Sequence, residues 1–146
     1  MSNRYWICYD PEWPIRTYNP GYPPAKFIFD ETERRGEAID SLVSSASIIS
    51  GAHLKRSVVC IGCKIEGFSR LEESVILPKV QIGTHCHIRR AIICEGCIIP
   101  DGTVIGINPE QDRHYFHITA GNIVLVTAEM MEQYIRSKTT LRSAPN

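Results

Sequence analysis

The sequence predicts a mainly β fold, a parallel β-helix with coils of 17 residues, and three observations support this prediction. Branched aliphatic residues recur at that spacing in three columns, so each coil would contain three short strands that turn one aliphatic side chain inward. Small residues and glycines lie between the columns, where the chain must turn tightly. Strands this short cannot bury an apolar face alone, so the stacked coils would share one continuous core. The columns are Ile48, Ile65, Ile82 and Ile99; Leu54, Leu71, Ile88 and Ile105; and Val59, Ile76 and Ile93.

An ordinary β-sandwich is the alternative fold, but its turns are irregularly spaced and would not keep three columns in phase. At 146 residues the chain has the length of one domain. We expect a proline- and aromatic-rich strap with a charged loop at 1–41, the coils at 42–107, and a turn, a strand and a capping helix at 108–146.

The segment before the coils contains many prolines, which disfavour a helix. Its aromatic side chains, Trp6, Trp13, Tyr18 and Tyr22 among them, need a surface to cover them. We therefore expect a strap that packs on the domain or on a neighbouring one. Residues 30–37 are mostly charged, which is typical of a solvated loop.

The segment after the coils contains signals for three elements. Residues 108–112 are typical of a turn or a short helix, and residues 123–126 are typical of a strand. Thr127 precedes acidic residues, and Arg136 and Lys138 follow later, an order that favours a helix starting at residue 128. We expect this helix to cap or flank the coils.

Composition excludes several classes of function. The formal net charge is zero, which argues against a nucleic-acid surface. The first residues lack an apolar stretch of signal-peptide length, and no window approaches the roughly 18 apolar residues of a membrane span. The expected location is the cytoplasm.

Two cysteine pairs with the spacing of zinc knuckles, Cys60 with Cys63 and Cys94 with Cys97, stand out among six cysteines. The repeat places the second pair two coils beyond the first, which is about 10 Å at the usual strand spacing. That distance is too large for one zinc ion or for a disulfide. We expect no metal site, and thiols that act as small buried apolar groups in a reducing compartment.

Seven motifs resemble, in the same order, the C-terminal region of bacterial glucose-1-phosphate adenylyltransferases, also called ADP-glucose pyrophosphorylases. They are residues 13–18 (WPIRTY), 23–27 (PPAKF), 40–44 (DSLVS), 49–51 (ISG), 75–78 (VILP), 99–106 (IPDGTVIG) and 121–127 (GNIVLVT). The resemblance implies a left-handed β-helix of hexapeptide repeats, an exception to the usual crossover handedness. It also implies an enzyme that joins ATP and glucose 1-phosphate into ADP-glucose and pyrophosphate in glycogen biosynthesis.

The resemblance places that chemistry in an N-terminal nucleotidyltransferase domain that uses magnesium. This sequence contains no glycine-rich phosphate loop, so we expect the chain to be non-catalytic by itself and to bind no cofactor. The partners implied are the catalytic domain or subunit and further copies of the chain, a homotetramer in the parent family. Anionic effectors, such as sugar phosphates, nucleotides or phosphate, would bind between the two domains.

Arg89 and Arg90 are the candidate effector-binding residues, because a guanidinium donates two parallel hydrogen bonds to phosphate. Strand alternation turns Ile88 inward, so Arg89 should point outward and Arg90 should lie near a corner, where both do not easily bind one phosphate. The positions that align with activator-pocket arginines of enteric enzymes are Glu95, Ala128 and Glu132. Carboxylates there put an enteric-type activator response in doubt.

Three alternatives remain at this point. A free-standing hexapeptide acyltransferase would use His85 or His87 as a general base. A γ-class carbonic anhydrase would bind zinc through histidines drawn from His85, His87, His114 and His117. The chain could also serve as a pure assembly module.

Overall fold

The computed structural model describes residues 21–31 and 34–142 and confirms a parallel β-helix of about four coils. Strands are numbered along the chain, and the three faces of the β-helix are three sheets. The first sheet contains β1 (Lys26–Ile28), β6 (Ile48–Ser50), β9 (Lys64–Ile65), β12 (Gln81–Ile82) and β15 (Ile98–Ile99). The second sheet contains β4 (Glu37–Ile39), β7 (His53–Lys55), β10 (Arg70–Glu72), β13 (His87–Arg89) and β16 (Val104–Ile105). The third sheet contains β5 (Leu42–Val43), β8 (Val58–Val59), β11 (Val75–Ile76), β14 (Ala91–Ile93), β18 (Val124–Val126) and β17 (His117–Ile118).

Three further elements complete the described chain. An antiparallel hairpin, β2 (Asp30–Glu31) with β3 (Arg34–Arg35), lies between β1 and β4. The two helices are α1 (Pro109–Tyr115) and α2 (Ala128–Arg142). No helix among the described residues is long and apolar enough to cross a membrane.

The buried core confirms the second and third aliphatic columns and corrects the first. Ile49 pairs with Ile65 and is fully buried, whereas Ile48 pairs with Lys64 and is only half-buried. This coil is therefore 16 residues long, one fewer than predicted, and the repeat slips once between Ile49 and Leu54. Two adjacent isoleucines make both registers plausible in sequence, and a slip of one residue exchanges the faces of a strand.

Each corner between strands contains a residue in the left-handed region, and many of these residues are not glycines. The three corner columns are Gly51, Phe68, His85 and Gly102; Asp40, Arg56, Glu73 and Arg90; and Ala46, Gly62, Lys79 and Gly96. A side chain in this region costs roughly 1–2 kcal/mol. Hydrogen bonds between successive coils offset this cost, as from Phe68 N–H to the Gly51 carbonyl at 2.9 Å. The glycines therefore mark only some of the corners.

The parallel ladders begin at Lys26, well before the predicted start at residue 42. β1 and β4 already pair with the first full coil, so part of the predicted strap and loop belongs to the sheets. The charged segment 30–37 contains the hairpin, and the Arg34 guanidinium lies 3.7 Å from the Phe29 ring centroid instead of in solvent. Lys26 and its partner Ile48 are 22 residues apart, so a 17-residue repeat in the sequence does not reveal this coil. Trp6, Trp13 and Tyr18 lie outside the described residues.

After the coils the structure contains a short helix, a strand and a C-terminal helix, and α2 begins at Ala128 as predicted. Asn108 caps α1, and β18 continues the third sheet by pairing with β14. The Thr127 hydroxyl accepts a hydrogen bond from Met130 N–H at the start of α2. Met131 and Tyr134 of α2 are buried in the main core, so this helix caps the open end of the β-helix.

Candidate effector site

Arg89 and Arg90 lie at the end of β13, where the second sheet meets the corner that leads to the third. Arg89 is exposed on the outer face of the second sheet, and Arg90 occupies the corner with φ of 49°. Both positions agree with strand alternation. The structure nevertheless places both residues on the wall of one cavity of about 220 Å³, which the alternation argument did not anticipate.

This candidate effector cavity forms because the chain leaves the coil after Ile105 and returns only at β18. The excursion contains α1, β17 and the turn between β17 and β18, and these elements close the cavity against the second sheet. The residues that line it with the two arginines are Gly106, Pro109, Asp112, Ile118, Asn122 and Val124.

Contacts within the chain position the two guanidinium groups. Arg90 Nη2 donates to the Gly121 carbonyl at 2.8 Å, and the Arg90 carbonyl accepts from Val124 N–H at 2.9 Å. Arg89 Nε lies 3.8 Å from a Glu72 carboxylate oxygen, a separation typical of a weak exposed ion pair. Each guanidinium carries five N–H donors, so these contacts leave most of the donors available to an anion.

One carboxylate lines the cavity, and backbone contacts hold it in place. Asp112 is 3% exposed, and its Oδ2 accepts a hydrogen bond from Gly106 N–H at 2.9 Å. Burial raises the pKa of Asp112 from its ordinary value, and the Gly106 hydrogen bond opposes this shift. Gly106 has φ of 80°, and a Cβ there would lie 1.7 Å from the Arg89 carbonyl oxygen. Glycine is therefore required where α1 approaches β13.

A second cavity, of about 250 Å³, lies at the positions that align with activator-pocket arginines. Ala128 and Glu132 line it together with Gly96, which follows Glu95 in sequence. The Glu95 carboxylate is 3.5 Å from the Lys79 ammonium, and the Glu132 carboxylate is 3.9 Å from the Arg136 guanidinium. Glu132 is the one charged residue that lines this cavity, so the two cavities differ in charge.

Comparison with known proteins assigns the fold to a family. A protein-family model described as "GlmU-like, C-terminal hexapeptide" matches residues 23–126. The chain belongs to this hexapeptide-repeat family.

Several curated relatives of this hexapeptide-repeat chain are glucose-1-phosphate adenylyltransferases. The protein of Thiobacillus denitrificans is 55% identical over 130 residues, which is 89% of this chain and 30% of the relative. The protein of Hydrogenovibrio crunogenus is 52% identical over 126 residues, 86% of this chain and 30% of the relative. The protein of Methylobacillus flagellatus is 51% identical over 125 residues, 86% of this chain and 29% of the relative. The matching part is the C-terminal region of these enzymes, so the chain spans about 30% of their length.

The histidines of this hexapeptide-repeat chain occupy different environments. His85 stacks on Phe68 with the ring centroids 4.9 Å apart, and His114 Nδ1 lies 2.7 Å from the Glu110 carbonyl oxygen. His87 is half-buried on the second sheet, where its Nε2 atom has no hydrogen-bond partner in the described part of the chain. Across residues 21–31 and 34–142, no group of three or more His, Cys, Asp or Glu side chains is arranged to hold a metal ion.

The two cysteine pairs lie two coils apart, as predicted, but only one thiol of each pair is buried. Cys63 and Cys97 are buried, whereas Cys60 and Cys94 are half-buried beside the outer face of the third sheet, with Leu77 between them. Burial raises the pKa of the Cys60 thiol, and burial raises that of Cys97 to about 11. These thiols are weak nucleophiles at neutral pH.

Sequence reasoning missed the other residues of the candidate effector cavity. Asp112 lies four residues after the capping Asn108 on a short, mostly polar helix, and this pattern is typical of a solvated surface. Asn122 adopts φ of 57° in the turn before β18, a conformation that asparagine tolerates. Neither residue has a sequence signal that links it to Arg90, because the contact depends on the path of the excursion.

Proposed function

We propose that the chain is the regulatory and assembly domain of a glucose-1-phosphate adenylyltransferase. The observation that carries this proposal is 55% identity over 130 residues with the C-terminal region of such an enzyme. The whole enzyme would join ATP and glucose 1-phosphate into ADP-glucose and pyrophosphate for glycogen biosynthesis. Catalysis, and the magnesium it requires, would belong to a nucleotidyltransferase domain or subunit that associates with this β-helix.

The regulatory part of the proposal assigns an anionic effector to the candidate effector cavity. Two arginines line the cavity, and the carboxylate of Asp112, its one acidic lining residue, already accepts a hydrogen bond from backbone. A planar guanidinium can donate two parallel hydrogen bonds to the oxygens of a phosphate group. The cavity therefore suits a sugar phosphate, a nucleotide or free phosphate. The second cavity is a poor site for the same ligands, because Glu132 and the nearby Glu95 would repel them.

The assembly and location parts follow from the same assignment. The domain would associate with further copies of itself, and the relatives' catalytic region would attach at its N-terminal side. The five cysteines that the structure describes are free thiols, which suits the reducing cytoplasm.

Thermal melting with candidate effectors tests the proposal. We expect fructose 1,6-bisphosphate, AMP or phosphate to raise the melting temperature of the native chain. A ligand at 100 times its Kd stabilises by about 2.7 kcal/mol, or roughly 5–10 °C in a chain of this size. Arg90→Asn should abolish the shift, because it removes a cavity guanidinium while asparagine tolerates the corner conformation.

Arg56→Asn is the matched control. Arg56 occupies the equivalent corner two coils earlier with φ of 47°, and it also makes one polar contact, with Glu73. This variant should keep the full effector shift. Equal loss of the shift in both variants, or no shift in the native chain with any of the three anions, would contradict the effector assignment. Stabilisation by acetyl-CoA alone would instead favour the acyltransferase alternative.

A further inference from the structure

Flat side chains stack along one corner of the β-helix. The corner column of Gly51, Phe68, His85 and Gly102 repeats once per coil, and backbone hydrogen bonds from its members to the preceding coil fix its register. The Phe68 and His85 rings lie with their centroids 4.9 Å apart and their planes 18° from parallel. Both side chains are exposed, so the stack lies on the surface of the molecule.

A guanidinium group occupies the Gly51 end of this column. A Cβ on Gly51 would lie 2.5 Å from Cγ of Arg34, so the Arg34 side chain fills the space that a side chain of residue 51 would need. The Arg34 guanidinium carbon lies 3.7 Å from the Phe29 ring centroid and 5.8 Å from the Phe68 ring centroid. Arg34 Nε is buried and has no hydrogen-bond partner among the described residues, so contact with the rings positions the group. Here glycine makes room for a flat cation that another segment supplies.

Gly102 repeats this arrangement at the other end of the column, where the position is open. Gly102 has φ of 68°, and no atom of the described residues lies within 4 Å of its Cβ position. Successive coils are about 4.8 Å apart, so a flat group beside Gly102 would lie at stacking distance from the face of His85 that is turned away from Phe68. We call this space the Gly102 slot.

A cavity of about 350 Å³ connects the Gly102 slot with the end of α2. Its charged lining residues are Asp101 and Lys138. Asp101 Oδ1 accepts a hydrogen bond from Thr84 N–H at 2.7 Å, and its carboxylate is in no ion pair with another described residue. The Lys138 ammonium lies 5.1 Å from the Tyr134 ring centroid. The volume is at the lower end of the range of small-molecule sites, about 300–1,000 Å³.

We propose that the Gly102 slot binds a guanidinium group, which stacks on His85 and pairs with the Asp101 carboxylate. A guanidinium is planar and stacks on aromatic faces, and its several N–H donors can reach a carboxylate at the same time. The bound group would repeat at Gly102 the geometry that Arg34 has at Gly51. Its source is either an arginine side chain of another polypeptide or a small molecule such as free arginine.

Other ligand classes fit the Gly102 slot less well. A phosphate would meet the unpaired Asp101 carboxylate, and like charges repel. A lysine ammonium would satisfy Asp101 but lacks a flat face for His85. A neutral ring would stack on His85 but would leave the charge of Asp101 without a partner. A guanidinium satisfies both the flat shape and the charge.

A proton NMR titration of the complete chain at pH 8 tests the proposal, with N-acetyl-arginine amide as the probe. We expect a Kd in the millimolar range and shifts of the His85 and Phe68 ring signals. N-acetyl-lysine amide has the same charge without the flat group and is the matched ligand. It should bind about fivefold more weakly or worse, because it loses the stacking contact. Equal affinity for the two ligands, or no binding of either up to about 20 mM, would overturn the proposal.

Gly102→Asn closes the slot with a side chain and should abolish binding, since asparagine tolerates the left-handed conformation. Gly96→Asn is the matched control. Gly96 has φ of 70°, likewise no described atom within 4 Å of its Cβ position, and a place on a different corner. This variant should bind the probe as the native chain does. Equal binding in the two variants would show that the probe binds elsewhere and would overturn the proposal.

Two substitutions at His85 separate stacking from a general effect on the fold. His85→Asn removes the ring and should abolish binding. His85→Phe restores a flat face and should keep it, because Phe68 shows that this corner column accommodates phenylalanine with φ of 61°. Loss of binding in both variants would contradict a stacking role for residue 85.

The charged residues identify the source of the guanidinium. Asp101→Asn keeps an acceptor for Thr84 N–H but removes the charge, so it should weaken binding about two- to fivefold. Free L-arginine adds a carboxylate that Lys138 can pair with. Tighter binding of free L-arginine than of the amide, lost in Lys138→Gln, would support a small molecule, whereas equal binding would support an arginine side chain.

This inference goes beyond the proposed function and is separable from it. The cavity at Gly102 and the candidate effector cavity have no lining residue in common. A chain that binds neither arginine probe but still melts at a higher temperature with phosphate would overturn the guanidinium site and leave the effector assignment intact.

Discussion

Asp112 shows how one side chain couples burial, charge and the shape of the candidate effector cavity. Its carboxylate joins α1 to the end of the last coil through the Gly106 N–H, and Gly106 lies against the Arg89 backbone of β13. Desolvation raises the pKa of Asp112. The folded state therefore binds the Asp112 proton more tightly than the unfolded state does. Its contribution to stability is complete below the ordinary pKa near 3.8 and is lost as pH rises through the raised pKa.

Asp112→Asn removes this pH dependence while keeping a hydrogen-bond acceptor for Gly106. Relative to the native chain, we expect the free energy of unfolding of this variant to increase between pH 4 and pH 7. Asp112→Ala is the comparison, because it leaves the partly buried Gly106 N–H without this partner and should cost about 1–3 kcal/mol. Urea unfolding at both pH values measures the two differences. Parallel profiles for Asp112→Asn and the native chain would contradict the raised pKa.

The corners are the elements in which backbone conformation and coil stacking meet. Non-glycine residues adopt the left-handed conformation at several of them, so corner glycines differ in how necessary they are. Gly102 has φ of 68° and no atom within 4 Å of a Cβ position, whereas at Gly106 the Cβ position overlaps the Arg89 carbonyl. Backbone conformation alone therefore constrains Gly102, and both conformation and space constrain Gly106.

Two alanine substitutions separate these constraints. Gly102→Ala should cost about 1–2 kcal/mol, the cost of a side chain in the left-handed region. Gly106→Ala should cost clearly more than that, because the overlap with Arg89 backbone forces α1 away from β13. Chemical denaturation measures both costs. Similar values would indicate that the excursion moves away from β13 without cost.

At the scale of the whole molecule, a β-helix must cover its open ends. Each coil contacts only its neighbours, so the last coil exposes core unless another element covers it. Helix α2 supplies this cover with Met131, 2% exposed, and Tyr134, 7% exposed. Tyr115 of α1 packs edge-on against Tyr134 with the ring centroids 5.0 Å apart. The cap therefore also stabilises the helix that lines the candidate effector cavity.

Met131→Ala should destabilise the chain by about 2–5 kcal/mol, since it removes a buried side chain at the end of the core. Gln133→Ala, on the exposed side of the same helix, should stay within about 0.5 kcal/mol of the native chain. Thermal melting of the two variants provides the comparison. If both variants have the melting temperature of the native chain, α2 does not cap the core.

The class of fold and most of its period follow from local patterns of residues. Inward aliphatic residues must repeat once per strand, so the columns that contain Leu71 and Ile76 identify the second and third sheets without any knowledge of contacts. The helix after Thr127 was likewise predicted from its cap, which is a local signal. The resemblance to adenylyltransferases was also a property of the sequence, because ordered motifs identify it.

The register of the first full coil and the composition of the candidate effector cavity depend on contacts between segments that are distant in sequence. Ile48 and Ile49 are equally apolar, and the choice between them depends on which one opposes Ile65 across the ladder. Arg90 meets Gly121, which lies 31 residues later in sequence, because the chain leaves the coil after Ile105 and returns beside β14. Local patterns describe the direction of a side chain relative to its own strand. Local patterns do not show which distant segment packs beside a given side chain, and the candidate effector cavity is lined by segments that are distant in sequence.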